Sequence, residues 1–139
     1  MFKQTLLTIK EIKMNIALWI VQGLLALFFL MAGFMKISKS KDSLKERGKS
    51  MEWVDDFSDG QLRTIGALDV LGAIGLTLPA LTGILPILTP LAALGLALTM
   101  LGAAITHFRR GEYSSIVMNL VLLAMALFVA YGRFVLLPF

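Results

Sequence analysis

The sequence has no cysteine, which excludes disulfides, thiol redox chemistry and cysteine-ligated metals. It has one histidine, His107, too few for a bis-histidine haem within the chain. There is no nucleophile–base pair, no metal-ligand spacing and no phosphate-binding loop, so no catalytic residue and no metal ligand is assigned. Charge is scarce as well. Only 16% of the residues are Asp, Glu, Lys or Arg, against 58% hydrophobic, and the net charge is +4. A soluble domain carries more charge and less apolar mass. The 139 residues therefore read as one integral membrane domain. The lysines gather in two segments, which suits a membrane surface and excludes nucleic acid as a partner.

What is present is long apolar runs. A transmembrane helix needs about 20 residues, and four stretches qualify, at about 16–35, 64–81, 88–108 and 116–137. They are continuous rather than alternating, and rich in Leu and Ala, so strands are excluded. The fold class is all-α, a four-helix transmembrane bundle. Residues 1–15 form an N-terminal tail or interfacial helix, with Phe2, Leu6, Ile9 and Ile12 near one face. No small-residue cleavage site follows the first span, which speaks against a signal peptide, and Met14 is an alternative start. Pro79, Gly83, Pro86 and Pro90 are expected to break the second span and begin the third. The loop from Lys36 to Arg63 is polar and carries both signs of charge. Within it "SMEWVDDFSDGQLR" mixes Met51, Trp53, Val54 and Phe57 with acids, the pattern of a short interfacial segment with Trp53 anchored among headgroups. Ser58 or Asp59 is placed to cap the following helix.

Four spans put both termini on one side, with Lys3, Lys10, Lys13 and Arg133. The opposite side holds Lys36, Lys39, Lys41, Lys45, Arg47, Lys49, Arg63, Arg109 and Arg110. The positive-inside rule places the long loop in the cytoplasm and the termini outside, in a bacterial cytoplasmic membrane.

The polar residues inside the spans carry the functional signal. An aspartate at mid-helix costs roughly 2.5–3.5 kcal/mol on insertion scales, so Asp69 needs a partner. Lys36 ends the first span, His107 ends the third, and Asn119 lies in the first turn of the fourth. With alternating helix directions all four fall toward the loop-side face. They are expected to converge, with Asp69 ionised or sharing a proton, as a candidate ligand site. Gly95, Thr99 and Ala103 lead to His107 at steps of four, Ala73 and Thr77 follow Asp69, and Ala26 and Gly33 share a face with Lys36. Small residues of this kind allow close helix contact. Gln22 and Arg133 form a second polar set toward the opposite face.

"GLLALFFLMAGFMKI", "RTIGALDVLGAIGLTLP", "LTPLAALGLALTMLGAAITHFRRGE" and "NLVLLAMALFVAYGR", taken in order, resemble the DoxX-like membrane proteins from about Ile16 to Arg133. The resemblance implies a four-helix bundle, often with glutamate where this chain has Asp69. It also implies association with quinol-oxidase, thiosulfate–quinone or redox-stress complexes, while other four-helix relatives look like assembly factors or cargo receptors. Three functions stay open. The first is a small membrane subunit holding a quinone or lipid headgroup at Asp69, Lys36, His107 and Asn119, with electron carriers on partner subunits. The second is a non-enzymatic assembly or scaffold protein whose polar cluster is structural, and association with further copies of the chain fits either. The third is a small proton-linked carrier with Asp69 as the titrating group.

Orientation is directly testable because the chain has no native cysteine. A Ser43→Cys variant in intact cells is expected to resist an impermeant thiol reagent and to label only after permeabilisation. Labelling of intact cells reverses the assignment.

Overall fold

The computed structural model describes all residues, 1–139. It is helical throughout, without strands, and four of its helices are long and apolar enough to cross a membrane. Helix α1 (Phe2–Ser38) has 37 residues, about 55 Å at 1.5 Å per residue, against a hydrocarbon thickness of about 30 Å. Residues 2–15 thus continue the first span as one helix, with Phe2, Leu6, Ile9 and Ile12 exposed.

Lys39 is extended and ends α1. Ser40 caps the short α2 (Lys41–Lys45) by accepting from the Ser43 amide. Gly48, at φ 125°, then leads into a 3-10 segment, Lys49–Asp56. The apolar side of this segment packs partly against the protein itself. Val54 joins Leu44 and Leu62 in a small core, flanked by Met35, Met51, Trp53 and Phe57. Trp53 is half-buried, with one side on this small core. The loop has apolar surface from the ends of α1 and α3 within reach, and burying its own against them removes both from water.

Helix α3 (Asp59–Thr82) starts with a complete capping box: Ser58 Oγ accepts from the Gln61 amide, and Gln61 Oε1 accepts from the Ser58 amide. Pro79 lies inside α3, and Pro90 lies in the first turn of α4 (Leu88–Arg110). The break falls only between Gly83, whose φ is 72°, and Ile87. Of the residues expected to break the second span and begin the third, Gly83 and Pro86 lie in the break itself, and Pro79 lies within the helix, as a span running to about residue 81 places it, for a specific reason. Proline has no N–H, so it frees the carbonyl four residues earlier, that of Gly75. Thr89 Oγ1 of α4 donates to this carbonyl at 3.0 Å. Next to it, Gln22 of α1 donates to the Leu76 carbonyl at 2.8 Å. Neighbouring helices supply what the proline withholds, as membrane proteins require.

Helix α5 (Tyr113–Tyr131) runs into a π turn, Gly132–Leu136, closed by the Leu137 amide donating to the Gly132 carbonyl at 2.7 Å. Helices α1 and α3 pack along each other, as do α4 and α5, and α3 joins the two pairs through α4. The main core runs between the pairs through Leu25, Phe29, Leu76, Leu96, Ala126 and Val129. Gly33 and Gly66 form the closest approach of α1 and α3: a Cβ at Gly33 would lie 2.6 Å from the Gly66 carbonyl oxygen. The α4 stripe behaves differently from expectation. Gly95 would meet nothing within 4 Å of an added Cβ, and Thr99 and Ala103 face a cavity. Small residues here leave room instead of drawing a helix in.

Thr89→Val keeps the shape of the side chain but removes the donor to Gly75. Leaving a buried carbonyl unpaired costs about 1–3 kcal/mol, so a lower melting temperature is expected in detergent. An unchanged value would show that the Gly75 carbonyl finds another partner.

Candidate functional site

At the loop-side end the two helix pairs separate around a cavity of about 670 Å³, within the range of small-molecule sites. Its walls are mostly apolar and come from α1, the 3-10 segment, α3, α4 and α5. Phe28, Met31 and Leu68 line it and are also 40%, 60% and 55% exposed. Those three belong to spanning helices, so the cavity reaches the lipid-facing flank of the bundle.

Of the candidate residues, Lys36, His107 and Asn119 line this cavity and Asp69 does not. Asp69 is fully buried behind Lys36, which donates from Nζ to Oδ2 at 2.7 Å. Its other oxygen, Oδ1, has no partner. The lysine does not snorkel outward. It lies beside the close Gly33–Gly66 contact, where a Cβ added at Gly66 would come within 2.8 Å of Lys36 Cβ.

The four residues are not one hydrogen-bonded cluster. His107 Nδ1 pairs with Glu112 Oε1 at 3.0 Å, not with Asp69. The local sequence explains this. Gly111 takes the left-handed conformation at the end of α4, its amide donating to the Phe108 carbonyl and that of Glu112 to the His107 carbonyl. This is a Schellman turn, and it folds Glu112 back onto the last turn of the helix, against the ring. Arg110 bridges outward from there, with Nε to Glu112 at 3.1 Å and Nη1 to Asp56 at 2.8 Å. Trp53 stands between Lys36 and His107, its ring centroid 5.7 Å from Lys36 Nζ and 6.1 Å from the His107 ring. Asn119 is buried, and its Nδ2 has no partner.

Sequence reasoning therefore missed Trp53 as a cavity wall, and Glu112, Arg110 and Asp56 as the chain that holds His107. The "RRGE" stretch carried the signal for Glu112, since a glycine after a basic helix end turns the next residue back. Asp56 is 54 positions from Arg110 and left no local trace.

Chemically, the cavity offers an apolar body with nitrogen groups on its wall: the Lys36 ammonium, the Asn119 amide and the His107 ring. A carboxylate at Nδ1 fixes the ring and makes Nε2 the nitrogen left for other chemistry. No three His, Cys, Asp or Glu side chains converge as a metal-ligand set.

The DoxX-like family model matches residues 20–129. The chain belongs to the DoxX-like family. No curated protein and no solved structure gives a significant match. The matched region of this DoxX-like protein includes Lys36, Asp69, His107, Glu112 and Asn119. Asn15, Trp19 and Arg133 lie outside it.

Asp69→Asn leaves the Lys36 ammonium without its counter-charge, and breaking a buried pair costs about 3–5 kcal/mol. A large drop in melting temperature in detergent is expected. Asp69→Glu is expected to be tolerated, and Asp69→Asn combined with Lys36→Met should regain much of the lost stability. If Asp69→Asn is as stable as the parent, the pair is not what holds Asp69 in the membrane.

Proposed function

We propose that this protein is a membrane subunit that takes a lipid-soluble, carbonyl-bearing ligand of the quinone class from the bilayer into the loop-side cavity. The observation that carries this reading is Asn119: its Nδ2 is a buried donor on the cavity wall with nothing to donate to. Buried donors in finished structures have acceptors, and a ligand carbonyl would be one. Lys36 is placed to donate to a second oxygen. His107 is placed to hold or release a proton at Nε2, with Glu112 compensating the charge on the ring. The ligand's tail would lie toward Phe28 and Met31, where the cavity meets lipid. A quinone supplies two-electron chemistry when bound, and the residues of this chain bind it, orient it and manage a proton. Electron carriers would belong to partner subunits. The long loop would then face the cytoplasm of a bacterial cell.

A scaffold role is favoured by one separate observation. Asp69 is sealed behind Lys36 and away from the cavity, so the ion pair fixes the α1–α3 arrangement whether or not a ligand is present.

The two tryptophans make binding measurable. Trp53 lines the cavity and Trp19 does not. In a Trp19→Phe background, titration with a short-tailed ubiquinone analogue in detergent is expected to quench Trp53 fluorescence saturably. Ala103→Phe fills the cavity and should abolish the quench, and Asn119→Leu should weaken it about 10-fold, as for the loss of one buried hydrogen bond. Quenching that is linear, or equal in Ala103→Phe, would leave only the scaffold reading.

A further inference from the structure

A second polar centre lies at the other end of the bundle. Arg133, in the π turn after α5, is 3% exposed. Its Nε donates to Gln22 Oε1 at 2.7 Å, and its Nη1 donates to Asn15 Oδ1 at 2.8 Å and to the Leu137 carbonyl at 3.3 Å. Its Nη2 is buried and has no partner. Two rings face the guanidinium carbon: Phe139 at 4.2 Å and Trp19 at 5.6 Å to the centroids.

Every group bonded to Arg133 is neutral, and no acidic side chain forms an ion pair with it. Asp69 is taken by Lys36. Six of the other acids lie between α1 and the first turn of α3, and Glu112 follows α4, all at the loop side. Glu11, one turn before Asn15 on α1, is the single acidic side chain at the terminus side, and it is exposed. An arginine stays charged at any ordinary pH, and a buried charge without a counter-charge is strongly unfavourable. The π turn aims it there nonetheless, and π turns of this kind are frequent at functional sites.

Depth identifies the missing partner. Lys36 and Trp19 are 17 residues apart on α1, about 25 Å along the axis. If Lys36 marks the loop-side boundary of the hydrocarbon, Trp19, Asn15 and Arg133 stand at the opposite one. Tryptophan and arginine together mark the level of the headgroups of that leaflet, and the two N–H groups of the unpartnered Nη2 can donate charge-assisted hydrogen bonds to phosphate oxygens.

We propose that Arg133, with Asn15 and Trp19, forms a second binding site for a phosphate group, supplied by an anionic phospholipid of the terminus-side leaflet or by free phosphate. Nη2, the one guanidinium nitrogen without a partner, donates to the phosphate. Phe139, 47% exposed, covers the guanidinium and is displaced as the phosphate enters. The site stands apart from the cavity and does not depend on what the cavity binds.

The test uses the full chain in dodecyl maltoside, with melting temperature and native mass spectrometry as readouts. Added phosphatidylglycerol is expected to raise the melting temperature saturably by about 5 °C and to remain bound in the spectrometer, whereas phosphatidylcholine with the same acyl chains should do neither. A rise with inorganic phosphate and none with phosphatidylglycerol assigns the site to the free ion. Phe139→Ala removes a cation–π contact of about 1 kcal/mol that the ligand must otherwise break, so phosphatidylglycerol should bind about fivefold more tightly. Arg133→Gln should abolish the preference, and the Phe139 variant keeps the test decisive if the arginine variant does not fold. Equal stabilisation by both lipids and none by phosphate overturns the proposal, as does a phosphatidylglycerol preference unchanged in Phe139→Ala. A Glu11→Gln variant destabilised in lipid-free detergent would make Glu11 the counter-ion and would also overturn it.

Discussion

Gly33 and Gly66 meet backbone to backbone, and the loop-side chemistry is arranged around that contact. A Cβ added at Gly33 would touch Asp69 Cβ, and one added at Gly66 would touch Lys36 Cβ. Each glycine thus lies beside the charged residue of the other helix. The close approach brings the lysine ammonium to the carboxylate across the two helices. A larger residue at either glycine would part the helices, and overpacking alone costs about 1–3 kcal/mol. The pair would then lose its geometry as well, so the stability of the ion pair and that of the helix contact are not independent.

The two polar ends of the bundle solve the same problem differently. At the loop side the lysine has a carboxylate, and the histidine has another that is itself held by Arg110. Charge is balanced there within the chain. At the terminus side Arg133 has amide oxygens, a carbonyl and two rings. Helix α1 contributes to both ends, through Lys36 at one and Asn15 and Gln22 at the other. Gln22 is the most connected side chain of the second group, donating to α3 and accepting from Arg133.

Legibility in the sequence followed the range of the interaction. The four helices were written in runs of apolar residues. The start of α3 was written in Ser58, although its capping-box partner Gln61 was not foreseen. The depth of Asp69 announced that a partner must meet it, and helix direction left Lys36 and His107 both as candidates; the ion pair is with Lys36. What could not be read was which of two nearby groups a side chain would choose. His107 was expected at Asp69, but a turn five residues long delivered Glu112 to it first. That Trp53 also lines the cavity could not be read, because amphipathic composition says that one face is apolar without saying which surface it meets. The α4 stripe of small residues read as packing because close contact and an open cavity both need small side chains, and only the position of α1 separates the two. How the helix carries Pro79 could not be read: the sequence shows its missing N–H but not Thr89, ten positions on, standing ready beside Gly75.

That threonine has a mechanical meaning. The buried and part-buried hydrogen bonds that join one helix pair to the other are Thr89 to Gly75, Arg133 to Gln22 and Arg133 to Asn15, and all three lie at the terminus side. At the loop side the pairs are bridged by the Trp53 and His107 rings and by the exposed Asp56–Arg110 ion pair, with the void between them. Tweezers are built this way, joined at one end and free at the other. Widening the void disturbs apolar contacts and one solvent-screened ion pair while every buried hydrogen bond stays made, so the width of the cavity is the softest dimension of the bundle.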